Sequence, residues 1–105
     1  TDLVVVSPLT RALQTACLAF QNTDTEMVVN PCVTESWPDC QENMGRAADE
    51  IRDDANLLAL KRFRNIKWDD SVLDGEWWRI GKDPERCQAF LNFLSQTPHR
   101  RIAVV

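Results

Sequence analysis

Apolar positions along this chain follow two rhythms. Leu3-Val4-Val5-Val6 is an unbroken, valine-rich run, which predicts a strand buried on both faces of a parallel sheet. Ser7-Pro8 follows at once. A serine cap with proline at the first helical position is a helix start, because the hydroxyl accepts a spare N–H and proline has none to satisfy. Leu9, Leu13, Ala16, Cys17 and Phe20 then recur at helical spacing and predict a helix to about Phe20. Met27-Val28-Val29 reads as a second short strand, stopped by Asn30-Pro31.

The middle is less regular. Val33 to Gly45 holds Pro38 and several polar residues, and reads as a long surface loop of the kind that carries function on α/β scaffolds. Ala47 to about Asp53 predicts a short helix, and Ala55 to Arg64 a second one with Leu57, Leu58, Leu60 and Phe63. Asn65 to Gly81 is expected to be irregular. Asp83-Pro84 opens a last helix as cap and first position. Its buried stripe is Cys87, Phe90, Leu91 and Leu94. Ile102 to Val105 reads as another buried strand.

Strands alternating with helices predict an α/β fold: a three-layer α/β/α sandwich with a mostly parallel sheet, built on right-handed crossovers. No repeat, low-complexity tract or linker divides the chain. Three short strands are thin for a free-standing domain, so residues 1–105 are expected to form one partial domain, an interior segment. Exposed strand edges on such a segment favour association; the oligomeric state is not readable.

Composition narrows the partners. Twelve Lys+Arg against sixteen Asp+Glu give a net charge of −4 and a pI near 4.9, which disfavours duplex nucleic acid and anionic membranes. No apolar run approaches the roughly 18–20 residues of a membrane span, and no signal peptide is visible. The four cysteines, Cys17, Cys32, Cys40 and Cys87, contain no C-x-x-C pair, and one histidine cannot complete a Cys/His zinc cluster. No metal or cofactor is expected. Reduced, structural thiols point to the cytoplasm, whereas a Cys32–Cys40 bridge would point to secretion.

Candidate chemistry gathers after the first strand. Ligands of open parallel sheets bind beyond the carboxyl ends of the strands, where Ser7, Thr10 and Arg11 fall. Free N–H groups, a positive helix end and a guanidinium together suit a phosphate. A cation in a first helical turn also opposes the helix dipole, which hints at an anionic partner for Arg11; a solvated arginine is the plainer reading. For Ser7 and Thr10, capping competes with phosphate contact. Trp37, Trp68, Trp77 and Trp78 serve either a pocket wall or the core. Arg62, Arg64 and Lys67 read as a solvated face, and His99 as a solvent-facing loop residue.

Ser7-Pro8-Leu9-Thr10-Arg11-Ala12-Leu13-Gln14-Thr15-Ala16 resembles the S-P-L-x-R-A-x-x-T-A signature of the histidine phosphatase superfamily. Pro31-Cys32-Val33-Thr34-Glu35 is similar to that family's P-x-L-x-E segment. Cys40 to Gly45 resembles, loosely, the C-D-x-G turn of its phosphoglycerate-mutase-like branch, from which Gln41-Glu42-Asn43-Met44 depart. Trp77-Trp78, the helix from Glu85-Arg86 to Leu94 and Arg101 to Val105 also fit that branch.

The resemblance implies phosphoryl transfer from a phosphomonoester to a histidine and then to water or another acceptor, as a metal-independent phosphatase or phosphomutase. Arg11 would hold the phosphate, its planar fork neutralising two oxygens as charge redistributes. Ser7 and Thr10 would line the phosphate site. Glu35 would protonate the leaving oxygen, which near neutral pH requires a raised pKa, and apolar Val33 and Trp37 would push it upward. Glu42 is its nearest rival. The R-H-G motif and the second histidine that the family needs are absent from these residues, and His99 precedes the final strand. The nucleophile is therefore expected outside this segment, and the segment alone is expected to be inactive. The substrate is a phosphorylated small molecule of unread identity. A catalytically inactive relative, binding a phospho-ligand or a protein, is the alternative, and a generic α/β domain with a chance motif the third reading.

Overall fold

The computed structural model describes residues 2–33, 45–68, 77 and 84–105. Strands β1 (Leu3–Val6), β2 (Glu26–Val29), β3 (Lys67–Trp68) and β4 (Ile102–Val104) form one sheet in the order β3-β2-β1-β4, with every pairing parallel. Helices α1 (Thr10–Ala19), α2 (Ala48–Arg52), α3 (Ala55–Leu58) and α4 (Pro84–Gln96) connect them, with single 3₁₀ turns at Pro31–Val33 and Phe63–Asn65. The α/β class and the parallel sheet agree with the expectation. No helix among the described residues is long and apolar enough to cross a membrane.

β1 lies between β2 and β4, and its four side chains are buried, as an unbroken apolar run requires. Alternation along the strand turns Val4 and Val6 to one face, with Met27 and Val29 beside them in register. That face packs against Leu13, Ala16 and Cys17 of α1, Ile51 of α2, Leu57 of α3, and Phe63, Ile66 and Trp77. The helical stripe read from the sequence is therefore the core face of α1. Trp77 is a core residue (2% exposed), its indole N–H donating to the Arg46 carbonyl at 2.6 Å.

Several expectations change. Helix α1 starts at Thr10 with Leu9 as its cap residue, not at Pro8 with Ser7 as cap. Ser7 Oγ accepts the Leu9 N–H at 3.2 Å, closing a turn before the helix while Leu9 stays extended at ψ 136°. Nor does the Thr10 hydroxyl cap the helix, which has no side-chain cap bond. The helix expected over 55–64 stops at Leu58. Bonds from Leu60 N–H to Leu57 O and from Phe63 N–H to Leu60 O span only three residues, tightening the chain so that Arg62 and Phe63 both turn inward.

The sheet has a fourth strand where an irregular stretch was expected. Lys67 and Trp68 pair with Val28 and Val29, a ladder too short to leave an alternation pattern. Among the described residues the carboxyl-side strand, expected to be buried, lies at the edge of the sheet, and its Val104 is 53% exposed. On α4, Phe90 and Leu94 are half-buried but Leu91 is 57% exposed, so the expected stripe is not a buried one. Pro84 is the first residue of α4, as expected. Asp83 and the side chain of Cys87 lie outside the described residues.

Arg62 corrects the solvated-face reading. Only 6% exposed, it donates from Nη1 to the Phe20 carbonyl at 3.0 Å and to Thr23 Oγ1 at 3.1 Å, and also reaches the Thr23 and Thr25 carbonyls. It thereby ties down the loop between α1 and β2 by donating to that loop's backbone carbonyls. Arg64 is exposed, and Lys67 pairs with Glu26 at 2.9 Å. His99 is half-buried rather than solvent-facing, with Nε2 3.5 Å from Glu26 Oε2.

Candidate phosphate site

β1 and β4 are adjacent strands from which the chain runs in opposite directions: β1 leads through α1 to β2, whereas β4 is reached from the far edge. In open parallel sheets that juncture forms a crevice beyond the carboxyl ends. A pocket of about 260 Å³ lies there, lined by Ser7, Leu9, Arg11, Ala12, Thr15, Val33 and Val105. Backbone bonds extend the ladder to its floor, from Ser7 N–H to Val105 O and from Asn30 N–H to Val6 O, both 2.9 Å.

The motif residues divide by task. Pro8, Leu9 and Ala16 are buried, and Ser7 (3% exposed) holds the turn into α1. Thr15 donates its hydroxyl to the Arg11 carbonyl at 2.9 Å, a bond back along the helix to the residue four before it. Arg11 is exposed at the pocket rim. The first backbone bonds of α1 run from Ala12 and Leu13 N–H to the Leu9 carbonyl, each 3.0 Å. The Thr10 and Arg11 N–H groups thus precede the hydrogen-bonded ladder, at the positive end of the helix.

Among the sequence-derived candidates, Ser7 and Arg11 share this pocket, whereas Thr10 does not line it. Its Oγ1 instead accepts Arg46 Nη2 at 2.8 Å. Glu35, Trp37, Cys40, Glu42 and Trp78 lie outside the described residues. Val33, two residues before Glu35, lines the pocket. Asn30 directs the chain there: its Oδ1 accepts the Cys32 N–H at 2.9 Å, an Asx turn that carries β2 into the 3₁₀ turn. His99 sits with Glu26 at the amino end of β2, across the sheet from the pocket.

No protein-family model matches this chain, and neither the curated proteins nor the solved structures yield a match. What the site can do therefore rests on its geometry. It offers a rim guanidinium, a helix amino end and walls of Leu9, Ala12, Val33 and Val105, a setting for a small anion carrying an uncharged group.

Arg46 was missed in the sequence. Besides Thr10, it binds Asp54 (Nη1 to Oδ2, 3.0 Å). Asp54 also caps α3, its Oδ1 accepting the Asn56 and Leu57 N–H groups at 2.8 and 3.1 Å. The Leu57 N–H is the chief cause holding the Asp54 carboxyl below its ordinary pKa, with Arg46 contributing. Gly45-Arg46 falls between a presumed loop and a presumed helix, and no local spacing links Arg46 to Thr10. A larger cavity of about 500 Å³ opens near the start of β2, lined in part by Arg62 and Lys67. Both cations are already engaged, with loop carbonyls and with Glu26.

Proposed function

We propose that the chain is the central part of a phosphomonoester-processing enzyme resembling the phosphoglycerate-mutase-like histidine phosphatases, acting as a phosphatase or phosphomutase. One observation carries the reading: Arg11 and Ser7 meet in a single pocket beyond the carboxyl ends of β1 and β4, at the amino end of α1. Arg11 binds two oxygens of the phosphoryl group and neutralises them as the P–O bond to the alcohol breaks. The phosphorus passes to a histidine supplied by residues outside this segment, and Glu35 gives its proton to the departing alkoxide. Water or a second alcohol then takes the phosphoryl group from the histidine. The substrate is a phosphorylated small molecule, the compartment is the cytoplasm, and no metal or cofactor takes part.

The proposed architecture is the three-layer sandwich. A right-handed crossover from β3 to β4 carries α4 to the face opposite α1–α3. Burial of Leu3 and Val5, which alternate away from Val4 and Val6, supports a covering layer there.

The test is titration of the natural full-length protein with inorganic phosphate, followed by turnover assays. Arg11→Ala is expected to weaken phosphate binding at least about tenfold, or roughly 1.4 kcal/mol, and to lower turnover by orders of magnitude. Glu35→Gln is expected to slow hydrolysis of alkyl phosphates far more than of activated aryl phosphates, which need no proton on leaving. Unchanged phosphate affinity in Arg11→Ala would overturn the assignment. Arg11-dependent binding without turnover in the full-length protein would leave a phospho-ligand-binding module instead.

A further inference from the structure

We infer that Arg46 is a positioning residue for the phosphate site, clamping the first turn of α1 so that Arg11 is presented to the pocket; this rests on the function proposed above. α1 begins without a side-chain bond from its cap residue Leu9, and the end turns of a helix are where it frays. Arg11 is the second residue of that turn, so fraying there would scatter the guanidinium that the pocket needs.

The Arg46 fork holds that turn from outside, through the Thr10 hydroxyl rather than through the backbone N–H groups that a cap would satisfy. Nη2 holds Thr10 Oγ1 at 2.8 Å, while Nη1 is held by Asp54 Oδ2 at 3.0 Å. Both ends of the clamp are anchored. Asp54 is bound to the α3 backbone through its other oxygen, and the Arg46 carbonyl accepts the buried Trp77 indole at 2.6 Å. The contact thus joins α1 to the α2–α3 region across 36 residues of sequence. A planar guanidinium spans two partners at once, which a lysine ammonium does not do with the same geometry. The ionised Asp54 also neutralises a second cation beside the positive end of α1, where an unpaired one would be disfavoured.

The experiment combines amide hydrogen exchange with inorganic-phosphate titration on the full-length protein, well below its melting temperature. Arg46→Ala is expected to speed exchange of the Ala12 and Leu13 amides about tenfold relative to Ala16 and Cys17, and to weaken phosphate binding about five- to tenfold. Thr10→Val should match it in both readouts while keeping the Asp54 pair, and the double variant should be no worse than Arg46→Ala alone, because both substitutions remove the Arg46–Thr10 bond. Arg46→Lys keeps a charge for Asp54 and should recover melting temperature but not phosphate affinity. Recovery of phosphate affinity by Arg46→Lys, additive effects in the double variant, or unchanged exchange in Arg46→Ala would each overturn the clamp. If wild-type protein binds phosphate through Arg11 and Arg46→Ala binds it equally well, the clamp fails while the proposed function stands. If wild type binds no phosphate, the proposed function falls, and the positioning role with it.

Discussion

Arg62 sets one guanidinium against the Phe20, Thr23 and Thr25 carbonyls and the Thr23 hydroxyl, within the protein interior. Truncating it removes several hydrogen bonds at once and leaves a hole where a buried side chain stood; each bond contributes about 1 kcal/mol, more where the donor is charged. Arg62→Ala is therefore expected to destabilise the fold by roughly 2–4 kcal/mol, read as a shift of the denaturation midpoint. Arg64→Ala, on the exposed neighbour, should stay within about 0.5 kcal/mol. A midpoint for Arg62→Ala as near to wild type would show the interactions to be dispensable. The same guanidinium lies close enough to Cys17 to draw its thiol pKa down, but burial is the larger cause and raises it. Cys17 is thus held as a neutral, core-packing thiol.

Among the elements, the long apolar patterns were legible and the short or non-local features were not. β1 and α1 follow from runs and stripes that one window of sequence contains. β3 is two residues long, and its membership in the sheet depends on Val28 and Val29 being adjacent, which only the tertiary fold supplies. The start of α1 was misplaced because Ser7 spends its hydroxyl on a turn, a choice that the S-P dipeptide leaves open. The pocket was half-legible. Ser7 and Arg11 share a motif, whereas Arg46 reaches Thr10 from 36 residues away. Three carboxylates that tie elements together have lowered pKa values: Asp2 through the Arg101 and Arg100 N–H groups, Glu26 through Lys67, and Asp54 through the Leu57 N–H. A carboxyl with a depressed folded pKa adds stability that is fully present above its unfolded value and is lost as pH falls through the folded one. Stability should accordingly hold from neutrality down to the ordinary values of 4.5 for Glu26 and 3.8 for Asp2 and Asp54, then decline. Asp54→Asn keeps a capping oxygen but no titrating charge. Its acid-unfolding curve, followed by circular dichroism, should descend less steeply than that of wild type; an identical slope would exclude Asp54 from the acid response.

At the scale of the molecule, the sheet among the described residues ends in a two-residue strand on one flank and in β4 on the other. Val104 and Leu91 are both more than half exposed, and an edge with unpaired backbone groups and no charge on its strand residues is prone to pairing with other chains. Sedimentation of the 105-residue chain is expected to show concentration-dependent association, reduced by Val104→Lys with little change in melting temperature. A monodisperse wild-type chain at high concentration would mean that the edge is protected by other means.

The order of strands also has a consequence in time. Of the four strands described, β1 is synthesised first yet lies inside the sheet, between β2 and β4, the last of the four to be made. One side of it can pair early, through the short α1 connection, while the other waits for Ile102–Val104. At about 5–20 residues per second on the ribosome, that delay runs to several seconds or more. Closing so distant a contact is also costly in chain entropy. During that interval the nascent chain displays a valine-rich strand whose β4-facing side has not met its partner, so an interior strand of the described sheet is, for a time, an open edge.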